Sequence, residues 1–254
     1  MSTSLMGVPL ASISEEETVQ RVFDGLSRAT GGWVCTVNLD ILRQVNASAD
    51  VRALVEEADL RVADGMPLVW ASHLRGVPLP ERVAGSSLVH SLSAAAARER
   101  RSVFLLGGNP GTAAAAADRL AEEAPGLIVA GTLCPSMELE GDDAELRHIE
   151  HVLVAADPDI VFVGLGFPKQ ERLVARLRPL LPHAWFLPCG ISFSFVSGEV
   201  VRAPSCVQRL GLEWLHRMVQ EPRRLARRYL VDGLPFLARL LAGALLDRRA
   251  GRPV

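Results

Sequence analysis

Short apolar runs alternate with longer amphipathic runs through most of the chain. Apolar runs bounded by turn residues are typical of buried strands, and apolar positions three or four residues apart are typical of helices. Their alternation predicts an α/β fold, with a Rossmann-like parallel sheet flanked by helices. The predicted strands cover residues 33–38, 60–63, 103–106, 127–132, 160–163 and 185–189.

The predicted helices lie between these strands and cover residues 15–29, 41–47, 87–98, 112–123, 142–155 and 170–180. Strand signals stop near residue 205, and an arginine-rich helical region follows. We therefore predict two units: an α/β core at residues 1–204 and a helical appendage at residues 205–254.

Polar residues at the ends of the first two strands are candidates for a ligand site, because ligands of open parallel sheets bind beyond the carboxyl ends of the strands. Thr36 and Asn38 share one face of their strand and would point together into a cleft. A strand-end turn with a helix cap explains them equally well. Asp64 directly follows the second strand, where a partly desolvated carboxylate can act as a general base. The alternative for Asp64 is a turn that caps the next helix.

A glycine-rich loop follows the third predicted strand and contains Gly107, Gly108 and Gly111. Backbone amides at a helix N-terminus attract phosphate, and glycines let the backbone approach a ligand closely. The three glycines are therefore candidates for binding phosphate, although glycines also serve plain turns. The sequence contains neither the GxGxxG fingerprint nor a P-loop.

The chain's only lysine, Lys169, lies in the loop GLGFPKQER at 164–172. The start of a helix favours anions, so Lys169 is a candidate phosphate contact, but an exposed lysine in a first helical turn is also ordinary. The amide of Gln170, the next residue, would either read the edge of a base or sugar or cap the helix.

Charge and composition exclude several classes of protein. The net charge of -2 and the pI near 6.3 disfavour a nucleic-acid binder. The four cysteines are far apart, which disfavours a zinc knuckle or a disulfide framework and predicts buried thiols in a reducing compartment. The chain begins without a signal-peptide pattern, and no window reaches 18 uninterrupted apolar residues, so a cytoplasmic protein without a spanning helix is expected. No HExxH or similar motif predicts a metal site.

Several sequence blocks, in order through nearly the whole chain, together carry a specific resemblance. They are TVNLD at 36–40, ADGMPLVWA at 63–71, ERVAGSSL at 81–88, LLGGNPGTA at 105–113, PDIVFVGLGFPKQE at 158–171, SGEVVRAP at 197–204 and GLEWLHRMVQEPRRLARRY at 211–229. In this combination the chain resembles the WecG/TagA/CpsF family of bacterial glycosyltransferases. That family is typified by the N-acetylmannosaminyl transferases of enterobacterial common antigen and wall teichoic acid.

The resemblance implies an inverting transfer of a sugar that needs neither metal nor cofactor. The donor would be a UDP-sugar, of N-acetylmannosamine type or a related hexose, and the acceptor an undecaprenyl-diphosphate-linked sugar at the inner face of the plasma membrane. The catalytic base would be Asp64. The residues that the resemblance places in the pocket or over the diphosphates are Thr36, Asn38, Arg82, Gln170, Arg217, Arg224 and Arg227.

The chain departs from the family pattern at two positions. Ser194 is expected to line the pocket where the family often has an aspartate, and Ser87 replaces another common aspartate. Both serines keep hydrogen-bonding capacity but lack the charge, so the identity of the donor sugar stays open. A non-catalytic UDP-sugar-binding homologue that acts as a sensor or scaffold is the alternative function.

The last part of the chain is rich in arginine and also carries an apolar stripe, formed by Leu237, Leu240, Leu241, Ala244 and Leu245. A basic amphipathic helix of this kind can lie on an anionic membrane surface. The alternative is a helix packed on the core, or on a neighbouring subunit of a homo-oligomer. The resemblance to enzymes with lipid-linked acceptors favours a peripheral membrane protein.

Overall fold

The computed structural model describes residues 2–135, 142–204, 206–207 and 211–249, without the side chain of Arg224. Six parallel strands form one sheet in the order β4-β3-β8-β7-β5-β6, and β1 and β2 form a separate antiparallel hairpin. The strands are β1 (Ser2–Leu5), β2 (Val8–Ala11), β3 (Gly32–Val37), β4 (Leu60–Ala63), β5 (Ser102–Gly107), β6 (Ile128–Leu133), β7 (Ile160–Gly164) and β8 (Trp185–Pro188).

Helices cover both faces of the sheet and continue beyond it. They are α1 (Glu15–Ser27), α2 (Leu39–Ala47), α3 (Ala49–Glu56), α4 (Met66–Arg75), α5 (Gly85–Glu99), α6 (Thr112–Glu123), α7 (Asp143–Ala156), α8 (Lys169–Leu177), α9 (Ser192–Val196), α10 (Glu213–Gln220), α11 (Pro222–Ala226) and α12 (Leu234–Arg249). A 3-10 turn (Arg178–Leu180) follows α8, and a π-helical segment (Arg227–Gly233) joins α11 to α12.

The inner strands of the sheet are buried on both faces, which is why they read as continuous apolar runs, whereas the edge strand β6 is partly exposed. Alternate residues of β7 contribute to different cores: Val161 and Val163 pack into one, Ile160 and Phe162 into the other. Buried residues of α2, α3, α4, α7, α8 and α12 complete the first core, and those of α1, α5, α6 and α9 the second. The α/β fold with a parallel sheet is confirmed.

The predicted strands are confirmed to within one residue at each end, and helix 112–123 is exact. The helix predicted at 170–180 ends at Leu177, because Pro179 directs the chain into the 3-10 turn. The hairpin β1–β2 and the helices α3 and α9 were not predicted. The hairpin turns at Met6 and Gly7, which both have positive φ, and Met-Gly is not a typical sequence signal for such a turn.

The C-terminal segment, residues 211–249, is almost entirely helical and packs back onto the core. The buried side chains of Phe236, Leu240 and Ala244 belong to the same core as Leu68 and Ala71 of α4. Its other side exposes apolar residues, namely Leu230, Val231, Leu234, Leu245 and Leu246. The predicted stripe is thus divided between the core and the surface.

One helical stretch among the described residues, Arg227–Arg249, is long and apolar enough to cross a membrane by length and composition alone. The sequence predicts no spanning helix, because no window reaches 18 uninterrupted apolar residues. The mean hydropathy of Arg227–Arg249 is 1.5, and 17% of the most apolar window is buried against the protein. The thiols also differ from expectation: Cys35 and Cys189 are buried, but Cys134 and Cys206 are exposed because both lie outside the sheet, Cys134 directly after β6 and Cys206 in a helical turn.

Candidate active site

The candidate site lies at the carboxyl ends of β3, β4 and β8. Asp64 follows β4, and its backbone N–H donates to the carbonyl of Val37 at the end of β3 (2.8 Å). The N–H of Val83 donates to the carbonyl of Ala63 (2.8 Å), which holds the loop containing Arg82 beside the end of β4. The parallel register of β3 and β4 therefore gathers residues that are far apart in sequence.

The carboxyl group of Asp64 is half-buried and surrounded by charges. Loss of solvation raises its pKa from 3.8 to about 6, against the lowering effect of Arg82. Glu213 raises the pKa further, and Arg202 and Arg217 lower it. At neutral pH the carboxylate is mostly ionised but basic enough to accept a proton, as a general base requires.

Two arginines of the core face one carboxylate of the C-terminal segment. Arg82 Nη1 lies 2.7 Å from Oε2 of Glu213, and Arg202 Nε lies 3.6 Å from Oε1 of the same residue. Arg202 also donates from Nη2 to the hydroxyl of Ser87 (3.1 Å). Glu213 is the first residue of α10, so these contacts bring the C-terminal segment to the mouth of the sheet.

Of the three arginines predicted in the C-terminal segment, the structure brings Arg217 to the site. It lies one turn after Glu213 on α10, and its guanidinium stands over the ring of Phe195 at 5.8 Å from the centroid. Arg227 is exposed on the π-helical segment, next to Arg228, which pairs with Asp40 at 3.0 Å. The side chain of Arg224 lies outside the described part of the chain.

Thr36 and Asn38 end β3 as predicted, but they differ in role. Thr36 is buried close to the start of α5: a Cβ built on Gly85 would lie 3.2 Å from its hydroxyl oxygen. Asn38 caps α2, since its Oδ1 accepts from the backbone N–H groups of Asp40 (3.1 Å) and Ile41 (3.0 Å). The cap alternative is therefore confirmed for the carbonyl end of this side chain.

Gln170 braces two strand-end loops. Its Oε1 accepts from the backbone N–H groups of Gly166 (3.1 Å) and Gly190 (3.0 Å), and its Nε2 donates to Oε1 of Glu171 (2.9 Å). Glu171 is almost completely buried, which raises its pKa from 4.5 to about 7. Three of the four bonds that a glutamine amide can make are thus made within the described part of the chain.

The glycine-rich loop is held by a carboxylate of the protein itself. Glu199 accepts from Asn109 Nδ2 (2.6 Å), Thr112 Oγ1 (3.0 Å) and Ser194 Oγ (2.9 Å), and these bonds lower its pKa. A carboxylate therefore does lie beside Ser194, the serine found where the family often has an aspartate.

The glycines of this loop adopt the backbone conformations that their residue type permits. Gly107, Gly108 and Gly111 all have positive φ, and Gly107 has no room for a side chain because a Cβ would lie 2.6 Å from the carbonyl oxygen of Gly164.

Lys169 is exposed and is the first residue of α8. Among the described residues, no group of three or more His, Cys, Asp or Glu side chains is placed to hold a metal ion.

Sequence reasoning missed four charged residues of this region: Glu171, Glu199, Arg202 and Glu213. All four lie inside the quoted blocks PDIVFVGLGFPKQE, SGEVVRAP and GLEWLHRMVQEPRRLARRY, or at their ends. Glu199 and Arg202 lie after the last strand, where the rule that ligands bind at strand ends gives no signal. Only the folded chain shows that they meet the strand ends.

Comparison with known proteins shows which family the chain resembles. The chain matches the Glycosyl transferase WecG/TagA/CpsF family over residues 3–250. It is also 33% identical over 202 residues to the N-acetylglucosaminyldiphosphoundecaprenol N-acetyl-beta-D-mannosaminyltransferase of Bacillus spizizenii. The aligned region covers 80% of this chain and 76% of that relative. A match of this extent shows the family. The chain belongs to the WecG/TagA/CpsF family and is a glycosyltransferase.

Proposed function

We propose that this glycosyltransferase moves a sugar from a UDP-sugar to a sugar carried on undecaprenyl diphosphate, with inversion at the anomeric carbon and without a metal. An N-acetylmannosamine-type sugar or a related hexose is the proposed donor sugar, by analogy with the relative's printed activity. The proposed setting is the synthesis of cell-surface polysaccharide or wall teichoic acid.

The observation that carries the proposal is the position of Asp64. A sugar hydroxyl is a weak nucleophile, so a base must take its proton while its oxygen attacks the anomeric carbon. Asp64 lies at the mouth of the sheet with a pKa of about 6, so it is available as a carboxylate at neutral pH. The proton passes to Asp64, the new glycosidic bond forms, and the bond to UDP breaks on the opposite face of the sugar.

The departing UDP gains negative charge, and cations must stabilise it. Arg82, Arg202 and Arg217 all act electrostatically on Asp64, so they lie within range of the reacting atoms. Guanidinium groups bind phosphate oxygens in pairs and stay charged at every physiological pH. These arginines can therefore stabilise the leaving diphosphate.

The acceptor is lipid-linked in this proposal, so the enzyme must reach a membrane surface. The C-terminal segment contributes Glu213 and Arg217 to the site and exposes apolar residues on its outer side, among them Leu234, Leu245 and Leu246. A peripheral enzyme on the inner face of the plasma membrane, held there by residues 205–254, fits this arrangement.

A UDP-release assay tests the proposal, with several UDP-sugars and a short-chain lipid-diphosphate acceptor. Asp64→Asn should lower transfer by about 10²- to 10⁴-fold and leave UDP binding intact. Asp157→Asn is the matched control: Asp157 caps the far end of α7 with a left-handed backbone that Asn adopts easily. Transfer by Asp64→Asn at the rate of the control would remove Asp64 from the base role.

A further inference from the structure

A single carboxylate bridges the two core arginines of the site. Glu213 reaches Arg82, which lies 131 positions earlier in the chain, and Arg202, which follows the last strand. The exposed fraction of the side chain is 17% for Arg82, 16% for Glu213 and 22% for Arg202. Charges in such a shielded place interact strongly, so the choice of partner matters.

Glu213 does not use all the donors that these arginines offer. Its 2.7 Å contact with Arg82 is a short, charge-assisted hydrogen bond. The 3.6 Å contact with Nε of Arg202 is too long for a hydrogen bond, and that buried Nε has no hydrogen-bond partner among the described residues. Nε of Arg217, one turn away on α10, is buried without a hydrogen-bond partner in the same way. Buried donors of this kind normally have a partner.

The unfilled Nε donors of Arg202 and Arg217, and the excess of positive charge among the described residues, indicate an anionic ligand. In this part of the chain three guanidinium groups, those of Arg82, Arg202 and Arg217, stand near two carboxylates, those of Asp64 and Glu213. We propose that Arg82 and Arg202 bind the diphosphate of the donor, and that Glu213 occupies their guanidinium groups until the donor displaces it. This inference rests on the proposed function, since it concerns the same donor.

The competing carboxylate makes Glu213 a residue that sets the affinity for the donor. A diphosphate offers two phosphate groups to two guanidinium forks, so it must break the short bond between Glu213 and Arg82 before it binds both arginines, and this cost lowers its affinity. A monophosphate offers one phosphate group and can bind Arg202 while that bond stays in place. The affinity for UDP therefore depends more strongly on Glu213 than the affinity for UMP does.

The test is calorimetric titration of the full chain with UDP and with UMP at one fixed salt concentration. Glu213→Gln should bind UDP about tenfold more tightly, within the range usual for coupled sites, and should prefer UDP over UMP more than the wild type does. Arg202→Gln should bind UDP about tenfold more weakly. Glu150→Gln is the control, because Glu150 pairs with Arg176 at 2.6 Å on the outside of the protein, and it should match the wild type.

Each outcome decides the matter. Unchanged or weaker UDP binding by folded Glu213→Gln overturns the inference, and so does an unchanged preference for UDP over UMP. If Glu213→Gln does not fold, Arg202→Gln decides alone, and wild-type affinity for UDP in that variant overturns the inference. A wild-type chain that binds no UDP at all overturns the proposed function as well, so the two failures are distinguishable.

Discussion

Asp64→Asn should make the protein more stable while it abolishes transfer. The ionised carboxylate of Asp64 is half-buried, and the resulting loss of solvation outweighs the attraction of the nearby arginines. An uncharged amide of the same shape avoids that cost. The catalytic carboxylate is thus expected to lower the free energy of unfolding, a trade-off that is common at active sites.

The magnitude follows from the pKa. A rise from 3.8 in the unfolded chain to about 6 in the folded chain means that the folded protein binds a proton more readily across this interval. Stability is therefore lost as the pH rises from about 4 to about 6, and at pH 7 the ionised group costs about 3 kcal/mol. For a domain of this size, that corresponds to a difference in Tm of roughly 6 to 12 °C.

The assay is urea unfolding followed by circular dichroism at several pH values between 4 and 8, for the wild type, Asp64→Asn and the control Asp157→Asn. The gap between Asp64→Asn and the wild type should be largest at pH 7 to 8 and should close near pH 4. A gap that is absent at pH 7, or that does not change with pH, would refute the reasoning.

Three further predictions follow from other features. If Asp64 is the base, the rate of transfer should fall as the pH drops below about 6, because protonated Asp64 accepts no proton. The plot of rate against pH should follow the titration curve of a single group. A rate that stays constant down to pH 5 would contradict this. Glu171→Gln keeps the acceptor for Gln170 and removes a buried charge, so at pH 8 it should unfold at a urea concentration equal to or above that of the wild type. Glu171→Leu removes the acceptor and should unfold at a lower urea concentration. An equal loss of stability in both variants would show that the charge itself stabilises the protein. Deletion of residues 205–254 should abolish sedimentation with liposomes and turnover. The remaining core should fold with a lower Tm, because Leu240 and Ala244 no longer cover α4. A deletion variant that still sediments with liposomes would argue against a membrane role for this segment.

The strands and most helices of the core were predictable because local patterns specify them. Each β-strand of the parallel sheet is a nearly unbroken apolar run, and the helix Thr112–Glu123 begins directly after a glycine and is rich in alanine. The hairpin at the start of the chain was missed because strands of four residues give a weak pattern and Met-Gly is an unusual turn.

The candidate site was predictable only in part. Asp64 and Thr36 follow from their position at strand ends, a rule that needs no three-dimensional information. The bridge between Arg82, Arg202 and Glu213 depends on how the C-terminal segment packs, and no local pattern encodes a contact over 131 positions. The same holds for Glu171, whose burial becomes visible only when α8 lies on the sheet.

The bonds around Glu199 suggest where the enzyme could be redesigned. This one exposed side chain lies 87 and 90 positions after Thr112 and Asn109 and ties both residues to Ser194, at a place far from Asp64 in sequence. Glu199→Ala would free the two loops from each other without touching the proposed base. Libraries that alter the glycine-rich loop are best started at this position, because its hold on the loop can be changed there while Asp64 stays in place.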